Sequence, residues 1–448
     1  QLPLLTSYQQ LDSIKDIEAD FENIRTAWLN ALQLEQFEIL STLLHTVWLF
    51  ARMREQLVII DELFAPLNAI YQLHPSPPIA LEHLWKRIIV RWLNLTRDHN
   101  FHEPFPLTID EIQTLVEAET DPFEQAIGYS SIASFMSRTG NFEEAHNCYL
   151  QSVALFEPLG EPYMLAVALS RLGFTLIVTG DLDGFRQHTE RSDAIFQQLG
   201  VTLSRFQPLN NLAAMCLFTG EYELARARFN ETINLINQAG VFTTIFPFAN
   251  LALLDFILGD FVSSRRTLDT IDSAVSDLPT ITGYGLSLAV RAMLLCMDGN
   301  YQKALETGEK SLLYANNVTV EFSCHLGMCM AYVGLSRFDE AQQLIYKCLK
   351  MIEPVHNYRG IIILSIPMMA AIQHHKGASV AASEYLSLAY HHMGATRTWI
   401  HRWQYLTQLQ QLLRDSLGLQ AYDAAWLRGR SLDIEIVVQT LRQEIDET

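Results

Sequence analysis

Gly140-Asn141-Phe142-Glu143-Glu144-Ala145 sets a pattern that the chain repeats. Copies stand at Gly180-Asp181-Leu182-Asp183-Gly184-Phe185, Gly220-Glu221-Tyr222-Glu223-Leu224-Ala225, Gly259-Asp260-Phe261-Val262-Ser263-Ser264 and Gly299-Asn300-Tyr301-Gln302-Lys303-Ala304. Looser ones follow at Ser336-Arg337-Phe338-Asp339-Glu340-Ala341 and Gly377-Ala378-Ser379-Val380-Ala381-Ala382. Their last residues are 40, 40, 39, 40, 37 and 41 positions apart, a period that signals stacked repeats. Glycine ends one helix because it enters the left-handed region without steric cost. The Asn or Asp after it is placed to cap the next helix. The aromatic sets the angle between the helices, and the small residue lets them approach.

Two further registers agree. Seven residues before each turn stand Ala133, Gly173, Ala213, Ala252, Ala292, Cys329 and Ala370, all small. Four after each turn come Tyr149, Thr189, Phe229, Leu268, Gly308, Ile345 and Leu386, mostly large. Stops at Gly160, Gly200 and Gly240 imply two helices of roughly 16 to 18 residues per repeat, each about 25 Å long. The pattern resembles the tetratricopeptide repeat over about residues 121–395, with a period of about 40 in place of 34. Arg291, where an apolar residue is expected, and the missing aromatic of the seventh copy depart from it. The predicted fold is all-α, a right-handed superhelical solenoid of such pairs. Residues 1–120 form linking helical repeats, 121–395 seven repeats, and 396–448 capping helices.

Before the array the spacing predicts helices over Ile17–Leu32, Phe37–Phe50, Gln56–Tyr71 and Ile79–Leu95. A loop over Asn100–Leu107 then leads to a short helix with Thr108 and Glu111 in capping-box spacing. Both ends suggest a narrower family. Glu18-Ala19-Asp20-Phe21-Glu22-Asn23-Ile24-Arg25-Thr26-Ala27-Trp28 resembles the first helix of the repeat domain in STAND-class signalling ATPases. The stretch Val47-Trp48-Leu49-Phe50-Ala51-Arg52-Met53-Arg54-Glu55-Gln56 is similar to that family's first repeat, without its turn glycine. Tyr422-Asp423-Ala424-Ala425-Trp426-Leu427-Arg428-Gly429-Arg430-Ser431-Leu432 resembles its closing segment. The resemblance implies a sensor domain that holds a linked nucleotide-binding ATPase inactive until an inducer binds. The inducer would be a peptide, an oligosaccharide or a protein. A chain opening at Gln1 without a signal peptide reads as a piece of a larger protein.

Several functions are disfavoured. Fifty acids against 31 Lys plus Arg, net −19, leave no basic stripe for nucleic acid. No run of 18 uncharged apolar residues spans a membrane; the most apolar window, Ile361–Ile372, reads as one buried helix. Six cysteines (Cys148, Cys216, Cys296, Cys324, Cys329, Cys348), single within apolar stretches, read as reduced core residues of a cytoplasmic protein. No phosphate loop, nucleophile elbow or metal motif occurs, so no ATPase, catalytic residue, metal or cofactor is expected in this chain. His374-His375, His391-His392 and Cys324-His325 lack the partners that would complete a metal site.

In tetratricopeptide superhelices the first helix of each pair lines the concave wall. The positions nine before the turn glycine are Ser131, Arg171, Asn211, Asn250 and Val290, and Asn210 stands ten before. Gln207 and Phe246 lie thirteen before, Phe174 six before, with Tyr284 nearby. In related repeats Asn and Arg at such positions hold ligand carboxylates or amides. An Asn both donates and accepts, and an Arg suits an anion. The expected ligand groove therefore comprises Arg171, Asn211, Asn250, Asn210, Gln207, Phe174, Phe246, Ser131 and Tyr284. The rival reading is a constitutive scaffold docking a protein without a switch.

Overall fold

A helical hairpin needs one residue in left-handed backbone and a way to satisfy the last carbonyls of its first helix. The computed structural model describes residues 2–54, 57–95, 105–239, 244–275, 283–315, 318–351, 362–392 and 398–446. In it Gly140, Gly180, Gly220, Gly259, Gly299 and Gly377 hold φ between 75° and 86°, and Ser336 holds 59° despite its side chain. The same backbone bond closes these turns. Asn141 donates to the Met136 carbonyl at 2.9 Å, Asp260 to Asp255 at 2.8 Å, and Arg337 to Tyr332 at 2.8 Å. The predicted caps divide by chemistry. The Asp181 carboxylate accepts from the Gly184 N–H at 2.9 Å and that of Asp260 from Ser263 at 3.1 Å. Asn141 and Asn300, weaker acceptors, make no such bond.

The described residues are all-α, with no strand among them. The repeats pair Pro122–Arg138 with Phe142–Leu159, Pro162–Thr179 with Leu182–Leu199, and Phe206–Thr219 with Tyr222–Ala239. They continue as Phe246–Ile257 with Phe261–Val275, Tyr284–Met297 with Tyr301–Leu312, Val318–Gly334 with Phe338–Met351, and Ile366–His375 with Ser379–His392. The first two pairs have the predicted length, 17 or 18 residues per helix. Among the described residues some later helices are shorter, down to 10 residues in Ile366–His375. Gly160 and Gly200 stop their helices in left-handed backbone as expected. Gly240, Gln56, Ile361 and the 100–104 part of the predicted loop lie outside the described residues.

The chain divides into two compact units, Gln1–Leu212 with Asn234–Thr243, and Ala213–Ile233 with Thr244–Thr448. In the first unit the small-residue register is enforced by contact. A β-carbon on Gly173 would meet the Thr189 hydroxyl at 2.5 Å and the Phe185 carbonyl at 3.3 Å. Ser152 donates to the Ala126 carbonyl at 2.9 Å and Ser192 to that of Ala166 at 2.6 Å, one repeat apart. The predicted helix Ile17–Leu32 is two, Gln10–Ala19 and Phe21–Gln33, broken at Asp20. Phe37–Arg54, Leu57–Leu73 and Ile79–Leu95 follow, and Thr108 and Glu111 form the capping box of Ile109–Glu117. Between Phe21–Gln33 and Phe37–Arg54 lies a turn of the repeat type. Glu35 holds φ 52°, and the Gln36 N–H reaches the Ala31 carbonyl at 2.8 Å.

In the second unit Arg291 answers its odd position by pairing with Asp272 at 2.7 Å. Of the window Ile361–Ile372, the described residues 362–372 are buried but are not one helix: residues 363–365 form a turn before Ile366–His375. Gln404–Leu417, Leu419–Gly429 and Ile434–Asp446 end the chain. Trp399, Ile400 and Trp403, just before them, are fully buried, and Trp399 stacks on Phe256 at 5.7 Å.

Candidate functional site

In the first unit, helix Pro162–Thr179 carries Arg171 at the position the register assigns inward. Its Nη1 is buried and makes no hydrogen bond, a costly state for a charged donor. Helix Phe37–Arg54 brings Arg52 into the same electrostatic neighbourhood, its guanidinium 5.6 Å from the centre of the Trp48 ring. Burial, then the like charge of Arg171, pulls the Arg52 pKa down to about 9. Tyr163, the second residue of helix Pro162–Thr179, feels both guanidiniums. Burial raises its pKa overall, so its phenol stays protonated.

A polar chain completes the cluster. Tyr163 and Ser204 share a hydrogen bond at 2.8 Å, and the Gln10 amide donates to the Ser204 hydroxyl at 3.1 Å. The Gln10 side-chain carbonyl accepts from the Leu203 N–H at 3.0 Å, so the fully enclosed Gln10 ties the amino-terminal helices to the third repeat. Arg52, Tyr163, Ser204 and Gln10 were not reached from sequence. The register that found Arg171 covers only the seven repeats, whereas Arg52 and Gln10 lie before them. Arg52 does fall within the stretch from Val47 whose family resemblance marked it.

The other expected groove residues fare differently. In the first unit Gln207, exposed, donates to the Asn211 side-chain carbonyl at 2.8 Å. Asn211 is only 8% exposed. Asn210 and Phe174 are half-buried, and Asn210 has a bonding partner. Ser131 is fully buried with its hydroxyl bonded to the Ile127 carbonyl, which leaves nothing to offer a ligand. Polar residues were placed there by the spacing, but a serine also satisfies itself on its own helix.

In the second unit Asn250 is 7% exposed and already bonded, in a helix whose residues 247–257 are all buried. Phe246 is half-buried, and Tyr284 packs edge-on against Tyr314 at 5.0 Å. This unit also holds a small, mostly apolar cleft, to which Tyr222 and Ser323 contribute. Phe218, Leu253, Ile257, Phe322, Leu326 and Leu364 also line it, and it has room for roughly one water.

Burial keeps four thiols protonated. It pushes up the thiols of Cys296, Cys324, Cys329 and Cys348, that of Cys348 to about 12. His374 pairs with Ser379 at 3.2 Å, His375 stacks on Phe338 at 4.3 Å, and His391 bonds the Ser387 carbonyl at 2.8 Å. His325 lies between the Glu321 carbonyl at 2.8 Å and the Lys347 ammonium at 3.2 Å. Among the described residues no group of three or more His, Cys, Asp or Glu could hold a metal, and no helix is long and apolar enough to cross a membrane.

No family model and no curated protein sequence matches the chain. Among solved structures it is similar to a Rap protein complexed with competence and sporulation factor. That match has a TM-score of 0.55 and 11% identity, covering 85% of this chain and 99% of that one. NprR in complex with its cognate peptide NprX matches at TM-score 0.39 and 12% identity, covering 90% of this chain and all of that one. Yeast Tom70 matches at 0.33 and 13%, covering 100% and 92%. The first likeness shows the fold: this is a helical repeat of the tetratricopeptide-like kind.

Proposed function

We propose that this chain is the sensor part of a STAND-type bacterial signalling regulator. It is not itself catalytic; it binds an inducer on the inner faces of its helix pairs and so relieves the autoinhibition of a linked nucleotide-binding ATPase. The observation that carries the binding half of this reading is the buried Nη1 of Arg171, which makes no hydrogen bond. A buried charged donor without a partner is unfavourable, and an acceptor supplied by a ligand relieves it. The Rap protein, which shares the fold, was solved complexed with competence and sporulation factor, which supports a binding role for such arrays. The switching half rests on the resemblance at Glu18–Trp28, Val47–Gln56 and Tyr422–Leu432. An inducer shifts the linked module only by binding one of its states more tightly.

Each half has its own test. Reading the gene upstream of the Gln1 codon should reveal a Gly-x-x-x-x-Gly-Lys-Ser/Thr phosphate loop; a parent gene without one removes the STAND assignment and leaves the constitutive scaffold. For binding, molecules that co-purify with the chain are identified by mass spectrometry. Arg171→Ala should then weaken the identified ligand at least tenfold with little change in Tm. Unchanged affinity would remove Arg171 from the site.

A further inference from the structure

We infer that residues 2–19 form a releasable strap, clasped onto the entry of the third repeat by the side chain of Gln10, which opens about Asp20 while the repeats stay folded; this goes beyond the binding role proposed above. The segment comprises helices Leu2–Leu5 and Gln10–Ala19. Asp20 lies outside helical backbone, with φ −108° and ψ 9°, so the strap joins helix Phe21–Gln33 through a one-residue break that serves as its hinge. Its clasp lies 194 residues further along the chain. The Gln10 Nε2 donates to the Ser204 hydroxyl at 3.1 Å and to the Leu5 carbonyl at 3.0 Å, and its Oε1 accepts from the Leu203 N–H at 3.0 Å. Beside the clasp Tyr8 lies against Gly200, where an added β-carbon would come within 2.8 Å of that of Tyr8. Gly200 thus ends helix Leu182–Leu199 in left-handed backbone and leaves room for the strap.

The hold on this strap is specific but thin. The buried residues of Gln10–Ala19 are Gln10, Ser13, Ile14 and Ile17, half of them polar, and Leu5 adds one more aliphatic anchor. A face that is half polar gains less from leaving water than a fully aliphatic one. Among the described helices Gln10–Ala19 has extended backbone contact with Leu2–Leu5 alone, whereas Pro162–Thr179 packs along Phe142–Leu159 on one side and Leu182–Leu199 on the other. The ion pair of Arg54 with Glu18, at 2.5 Å, is partly exposed and adds little. Gln10 therefore decides the balance. Docked, both ends of its amide are bonded; released, water bonds both, and no polar group of the strap is left unmet. The seat is tied to the second repeat as well, because the Ser204 hydroxyl shares a hydrogen bond with that of Tyr163 at 2.8 Å. A shift of helix Pro162–Thr179 moves this seat, which makes the strap a two-state element that a ligand on that helix biases.

The test is hydrogen exchange on the purified chain, under conditions where each rate reports the free energy of opening. A helix of 10 residues is marginal once detached, so release of the strap unprotects its amides. In the parent, the amides of Ile14 to Ala19 should exchange on the order of a hundredfold faster than those in the middle of Pro162–Thr179. Gln10→Ala should speed the strap amides by about a further tenfold, the effect of losing the bonds of one buried amide, and leave Pro162–Thr179 unchanged. Ser204→Ala, which removes one partner of the clasp, should act in the same direction and less. Equal protection of strap and repeats in the parent would show that the segment opens only with the whole unit. Acceleration of Pro162–Thr179 by the same factor in Gln10→Ala would make Gln10 an ordinary core residue, and strap amides that ignore Gln10→Ala would remove it as the clasp; each of these outcomes overturns the inference. Should Gln10→Ala fail to fold, the ratio in the parent and the Ser204→Ala variant decide. Exchange reads the strap whether or not the parent gene encodes an ATPase and whether or not Arg171 meets a ligand, so this inference and the function proposed above fail separately.

Discussion

Six of the seven repeat turns place glycine in left-handed backbone, and the seventh places Ser336 there with φ 59°. An L-residue in that region costs about 1–2 kcal/mol, partly offset in glycine by its greater freedom when unfolded. Ser336→Gly should therefore stabilise the chain by about 0.5–1 kcal/mol. Gly299→Ala, where an added β-carbon meets nothing within 4 Å, should destabilise it by about 1 kcal/mol through backbone strain alone. Urea midpoints should move in opposite directions; a neutral Gly299→Ala would show that the turn tolerates another conformation. His45 makes a second prediction at this scale. Its ring lies 5.4 Å from that of Trp48 and 5.2 Å from that of Phe123, and burial with the charges of Arg91 and Arg52 lowers its pKa from 6.5 to about 3. As pH falls from 6.5 towards 3 the unfolded chain takes up a proton that native His45 refuses, so stability is full above 6.5 and declines through that window. His45→Phe should flatten the fall in Tm between pH 6.5 and 5, above the range where carboxylates such as Glu124 titrate.

Between elements, the helix pairs are held at a distance set by single atoms. A β-carbon at Gly173 would press on Thr189 and on the rigid carbonyl of Phe185, so Gly173→Ala should cost about 1–3 kcal/mol, read as a lower urea midpoint at constant slope. This register was legible in the sequence because close approach admits only small residues, and Ala133, Ala213, Ala252, Ala292 and Ala370 sit with it, all fully buried. The turn at Glu35 was not legible. Glutamate stands where glycine is expected, and Trp28 stands seven residues before it, filling the gap between helices and donating to the Leu63 carbonyl at 3.1 Å. The serine bonds from Ser152 and Ser192 also went unread, since a serine in an amphipathic helix looks like any small polar residue. At the candidate site, Arg171 was found because its repeat is regular. Gln10 and Ser204 were missed because their bond is tertiary, across segments that share no period.

For the molecule as a whole, repeat arrays gain stability from each element's neighbours, so a local lesion need not unfold the entire chain at once. The division into two compact units gives this idea a definite form. Trp399, fully buried and stacked on Phe256, anchors the carboxy-terminal segment of the second unit, and Arg402 beside it lies 5.8 Å from the centre of the Phe261 ring. Removing the indole leaves a cavity against helix Phe246–Ile257, and Trp399→Ala should cost about 3–5 kcal/mol where it is felt. Hydrogen exchange is the measurement that locates the loss. Amides of helices Phe246–Ile257 and Gln404–Leu417 should exchange faster in Trp399→Ala, while those of Pro122–Arg138 and Pro162–Thr179, in the first unit, should keep their protection. Equal acceleration in all four would mean that the chain opens as one cooperative body and that the two units have no separate stability.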